Sequence, residues 1–215
     1  MYRILIVEDD KLFREQLAQL MAAKLPGSEI VAAADVQEAL EFVREARKSG
    51  RPFLAAVVDL MLPQIHGSNP ELDYAVESEI FRMHGTLIFR ITAFDSDAEV
   101  REYFDKARMR TSPRVLPVSK TEIGFSKRLI AEIKRDRVAR QMAELFAVPT
   151  GRVERRGSAT LALAALMSDI SLFWSDFDEK DREPIREYFD VQEEPDGGVM
   201  VRMGGREGSH SIAET

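Results

Sequence analysis

The chain has 215 residues, 45% hydrophobic and 31% charged, with 30 basic against 37 acidic side chains for a formal charge of -7. That is enough apolar material for one ordinary domain plus a smaller module, and the acid excess disfavours non-specific attraction to nucleic-acid backbones. Zero cysteines exclude disulfides, thiolate metal sites and a cysteine nucleophile; the opening apolar run, Ile4 to Val7, is too short for a signal peptide or membrane span, so a cytoplasmic location is expected.

In chain order, a first strand over Arg3 to Val7 ends abruptly in Glu8, Asp9 and Asp10. Three adjacent carboxylates repel one another unless a cation or an opposing charge lies close, so something electropositive is expected there. Further strands are predicted at Glu29 to Ala33, Phe53 to Asp59, Thr86 to Thr92 and Arg114 to Val118, with helical patterns around 11–24, 36–48, 70–83 and 96–109 between them. Five such units imply an α/β, doubly wound parallel sheet.

A long helix is predicted from Thr121 to Phe146, with Ile123, Leu129, Ile130, Ile133, Val138, Met142 and Leu145 on one face. Pro149 and Gly151 then break the chain. Ser158 to Phe177 reads as an amphipathic helix whose interruption at Asp169 disfavours a membrane reading. Asp178 to Phe189 reads as a second, charged helix constrained by Pro184, and Pro195 to Gly198 as the turn of a closing hairpin with Val199 to Met203 as its returning strand. The expected organisation is a domain over 1–135, an extended helix and linker over 136–156, a small mostly helical module over 157–204 and a flexible tail over 205–215.

In an open parallel sheet, functional groups gather beyond the carboxyl ends of the strands. The predicted strands place Glu8 and Asp9, Asp59, Thr92 and Lys120 there. Three carboxylates suit one Mg²⁺, which prefers oxygen ligands and retains waters. Asp59 has the placement of a nucleophile that accepts a phosphoryl group, with Lys120 pairing a phosphoryl oxygen and Thr92 donating a hydrogen bond.

The segments "ILIVEDD", "VVDLMLPQIHG", "RITAF" and "PVSK" occur in the order and at the separations typical of the receiver domains of two-component response regulators, which residues 1–135 resemble. The resemblance implies a flavodoxin-like five-stranded sheet of order 2-1-3-4-5. It implies Glu8 and Asp9 as acidic Mg²⁺ residues, Asp59 as phosphoacceptor, Met61 as a metal ligand through its main-chain carbonyl, Thr92 as the switch hydroxyl and Lys120 as the phosphate-pairing lysine. Asp10 falls outside the acidic pair. The chain departs from the family in carrying Thr121 where proline usually follows the lysine, and Pro117 where an aromatic often precedes it. Phe94 and Met61, two positions beyond Thr92 and Asp59, are placed to hinder an attacking water and prolong a phosphorylated state.

The expected partners are a sensor histidine kinase or phosphotransfer protein and an unidentified downstream protein. From Arg140 to Thr215 there are 9 basic and 15 acidic residues, a poor balance for binding DNA, so protein–protein interaction is the preferred output. The basic cluster between Lys127 and Arg156 reads as the solvated face of a helix and linker, and the apolar stripe from Leu163 to Phe177 as internal packing, with a homodimer surface as the other reading. The alternatives are a DNA-binding transcriptional regulator, a degenerate receiver acting as a constitutive binding module, and a Mg²⁺-dependent phosphohydrolase. The last needs a general acid and substrate pocket that the sequence does not supply, so the chain is read as a switch rather than an enzyme.

Overall fold

The computed structural model describes residues 1–59, 79–80, 85–93, 115–146 and 156–204. Within it the chain divides into two units, Met1–Ile133 and Lys134–Thr215.

In the first unit the aliphatic runs become β1 (Tyr2–Val7), β2 (Ser28–Ala33), β3 (Ala55–Asp59), β4 (Leu87–Thr92) and β5 (Val115–Ser119). All pair in parallel, in the order β2-β1-β3-β4-β5. The expected sheet order is therefore the observed one. Because side chains alternate across a strand, each interior strand feeds two cores. Ile4, Ile6, Val57, Phe89 and Ile91 pack on one face with Leu17 and Met21 of α1 (Lys11–Lys24) and with Leu129 and Ile133 of α3 (Phe125–Phe146). On the other face, Leu5, Val7, Ala56, Val58 and Ile88 meet Ala39, Leu40, Val43 and Ala46 of α2 (Val36–Lys48).

Pro117 lies within β5, opposite Arg90 of β4. Proline donates no ladder hydrogen bond, and β5 is an edge strand where that is tolerated. The third and fourth predicted helices, apart from Glu79 and Ile80, which are helical, lie outside the described residues, as do Met61, Phe94, the linker over 147–155 and the tail over 205–215.

α3 begins at Phe125 rather than at Thr121. Thr121 N–H instead bonds Ser119 Oγ at 3.1 Å, and Gly124 takes φ +84°, a conformation no right-handed helix accommodates. Ile123, expected on the buried face, is consequently fully exposed.

The second unit is built from the remainder of α3, α4 (Arg156–Phe173), a 3₁₀ turn (Trp174–Asp176), α5 (Glu179–Arg186), β6 (Phe189–Glu193) and β7 (Val199–Met203). β6 and β7 form the antiparallel hairpin expected from the sequence, with Gly197 at φ +85° in its turn. One expectation is corrected: the second charged helix stops at Arg186, and Phe189 opens a strand. The extended helix runs to Phe146, and its Val138, Met142, Leu145 and Phe146 join Leu166, Ile170, Phe173, Trp174, Phe177, Ile185 and Phe189 in one core.

That core encloses charge. Asp169, 4% exposed, accepts two bonds from the Arg137 guanidinium, Nε to Oδ2 at 2.7 Å and Nη2 to Oδ1 at 2.6 Å, and a third from Gln141 Nε2 at 2.7 Å. Lys134 bonds Asp176 at 2.6 Å, and Arg135 pairs with Asp178 and Asp181. Basic residues read as a solvated face are thus, over Lys134 to Arg137, largely consumed by acids of the same unit. No helix among the described residues is long and apolar enough to cross a membrane.

Candidate functional site

β1 and β3 are neighbours although β2 intervenes in sequence. The chain leaves β1 toward one edge of the sheet and returns to build the other, so a crevice is expected above their carboxyl ends. Glu8 and Asp9 follow β1, and Asp59 is the last residue of β3. Their carboxylates each offer an oxygen within 4.8 Å of the others. Glu8 and Asp59 are buried, and Asp9 is exposed.

Lys120, directly after β5, reaches this group from two strands away. Its Nζ donates to Asp59 Oδ2 at 2.8 Å and lies 2.7 Å from Glu8 Oε2. The Glu8 contact is an ion pair at hydrogen-bond distance, so one ammonium serves two buried carboxylates. The ammonium also stands over the Phe13 ring of α1, 4.9 Å from its centroid, a favourable cation–π placement. Lys120 N–H donates to Thr92 C=O at 2.7 Å, fixing the lysine to the end of β4. Thr92 is itself fully buried and sits one register step beyond Ile91, the residue opposite Asp59.

The structure therefore gathers Glu8, Asp9, Asp59 and Lys120 into direct proximity and puts Thr92 on the neighbouring strand end. Asp10 does different work. Its carboxylate accepts from Phe13 N–H at 3.0 Å as the N-cap of α1. Asp10→Ala should cost about 1 kcal/mol of stability in chemical denaturation while leaving cation affinity at the acidic pair unchanged. Phe13 and Arg14 were not singled out from the sequence. The aspartate immediately preceding an amphipathic run was the available signal that a helix starts there and brings its first turn against the site.

The site is electrostatically frustrated. Burial, with the nearby Asp59 charge adding to it, outweighs the Lys120 pairing and pushes the Glu8 carboxyl up to about 7. Burial alone would lower the Lys120 ammonium, but pairing with Asp59 and Glu8 raises it above its ordinary value. The donor set fits a hard cation: all three groups are carboxylates with oxygens within 4.8 Å of one another, two of them buried on a single ammonium, and Asp9 is exposed to water.

Because the folded Glu8 value lies above the unfolded 4.5, its contribution to the stability of the ion-free protein is complete below about pH 4.5 and lost as pH rises through about 7. A cation requires the ionised form, so Mg²⁺ affinity should run the other way, weakening by up to tenfold per pH unit below that value. Calorimetric titrations across this range check it; Glu8→Gln should flatten the profile, and an equally steep profile in that variant would assign the proton elsewhere.

No protein-family model matches the chain, and no curated protein matches it. Solved structures similar to it include a response regulator receiver domain protein (CheY-like) from Methanospirillum hungatei JF-1, at 19% identity and TM-score 0.47, covering 67% of this chain and 98% of that one. A response regulator receiver domain protein from Clostridium thermocellum matches at 15% identity and TM-score 0.46, over 66% of this chain and 98% of that one. The N-terminal domain of an uncharacterized protein from Wolinella succinogenes matches at 20% identity and TM-score 0.46, over 65% and 97%.

Proposed function

We propose that the chain is a response regulator of a two-component system, switched by transfer of a phosphoryl group to Asp59. The observation that carries this reading is the Lys120 ammonium placed 2.8 Å from Asp59 Oδ2 and 2.7 Å from Glu8 Oε2 beyond the ends of three strands. A carboxylate nucleophile, an acidic pair and a fixed cation from remote parts of the sequence meet where a small dianion can be held.

In the transfer, an Asp59 carboxylate oxygen bonds to phosphorus as the phosphorus–nitrogen bond of a phosphohistidine breaks. The electron pair stays on the departing imidazole, which takes up a proton from solvent, and the product is an acyl phosphate. Lys120 shifts from carboxylate partner to phosphoryl-oxygen partner, and Thr92 donates its hydroxyl to another such oxygen. Glu8, Asp9 and Asp59 would hold Mg²⁺, with Met61 completing the set through its carbonyl by family resemblance; the ion supplies neutralisation of the phosphoryl charge. The altered contacts at Thr92 and Lys120 favour one of two conformations, and the second unit, whose Lys134, Arg135 and Arg137 are engaged by its own acids, communicates the change to a protein partner.

A switch differs from a phosphohydrolase in its stoichiometry. Acetyl phosphate with Mg²⁺ should load a single phosphoryl group per chain, released slowly, and a generic aryl phosphate should not be turned over. Multiple turnovers of the aryl ester would replace the switch reading with a hydrolytic one.

A further inference from the structure

Glu8 N–H still bonds Ala33 C=O of β2 at 3.1 Å and Asp10 N–H bonds Glu8 Oε1 at 3.3 Å, but the carbonyls of Glu8 and Asp9 lie beyond the end of β1. One side chain holds both of them. Arg14, in the first turn of α1, donates from a single guanidinium nitrogen to Glu8 C=O at 2.5 Å and to Asp9 C=O at 3.2 Å. Its own N–H bonds Asp10 C=O at 2.9 Å, so the residue that clamps the acidic loop is anchored to the helix that the loop enters. The guanidinium also stands beside three consecutive acids and bonds main-chain carbonyls there rather than a carboxylate oxygen, so it does not compete with a cation for the Glu8 and Asp9 side chains.

We infer that Arg14 is a positioning residue: it sets the directions of the Glu8 and Asp9 carboxylates for cation binding by holding their main-chain carbonyls. The inference rests on the proposed reading of the site as a Mg²⁺ site. A guanidinium suits the task because one terminal nitrogen presents two N–H donors in a fixed plane and the group stays charged at every accessible pH. Groups that orient metal ligands without touching the metal commonly change affinity by about 10–100-fold when removed.

Mg²⁺ titration calorimetry on the full chain tests this, with melting of the ion-free protein measured alongside. Arg14→Ala should weaken Mg²⁺ by at least about tenfold, and saturating Mg²⁺ should return its rate of phosphorylation by acetyl phosphate to within about twofold of wild type. Arg14→Lys, which keeps the charge and loses the planar two-donor nitrogen, should fall between the two and serves where the alanine variant does not fold. Wild-type Mg²⁺ affinity in both variants overturns the inference and leaves the site reading intact. Lowered melting with unchanged affinity does the same, by showing a purely structural role. If wild type itself takes up no Mg²⁺, the site reading fails and the inference falls with it.

Discussion

Asp59→Asn should leave the chain unable to gain a phosphoryl group from acetyl phosphate, and Lys120→Ala should slow the gain on the order of 100-fold, as intact-mass kinetics will report. The two losses have different origins. Asparagine removes the nucleophilic oxygen while keeping the size of the side chain, so no acyl phosphate forms. It also removes one of two buried carboxylates crowded on a single ammonium, and relief of that repulsion should lower the Glu8 carboxyl from about 7. The Asn variant should therefore fold at least as stably as wild type, which separates lost chemistry from lost structure. Alanine at 120 leaves the nucleophile in place and strips away both the counter-charge and the contact over Phe13. A fully active Lys120→Ala variant would show that the lysine is a structural ion-pair partner only.

The largest stability effect is expected far from that chemistry. Asp169→Ala leaves the Arg137 guanidinium, itself 8% exposed, with both of its bidentate acceptors gone and Gln141 without its carboxylate partner. Removing one member of such a buried pair costs about 3–5 kcal/mol, because the surviving charge remains desolvated. Replacing both members together, as Arg137→Met with Asp169→Leu, should recover most of that loss for the same reason, leaving the smaller cost of the Gln141 amide's lost carboxylate. The only tryptophan, Trp174, is buried in this core, so its fluorescence during denaturation reports the second unit selectively. Equal losses in the single and double variants would show that the site needs polarity for a reason other than pairing.

The sheet was legible because parallel strands covered on both faces read as continuous aliphatic runs, and "AAVVD" ending in an acid is such a run. The site was legible because its groups sit at strand ends, whose positions follow from those runs. Other features escaped for physical reasons. The helix periodicity around Ile123 continued through Gly124, yet one backbone in the left-handed region displaced the helix start and exposed Ile123. Lys134, Arg135 and Arg137 read as a solvent-facing cluster because their acids lie 32 to 46 residues away, beyond the reach of local spacing. Phe189 stands at the end of the expected charged helix, but it is register-paired with Met203 in the hairpin. Arg14 binds main-chain carbonyls, and a backbone acceptor carries no sequence signature.

The most direct measurement is the location of the phosphoryl group. Loaded with acetyl phosphate and Mg²⁺, trapped by borohydride reduction and digested, the protein should yield one modified peptide, with the change confined to Asp59. Modification of another residue, or none under conditions where Mg²⁺ demonstrably binds, would contradict the account.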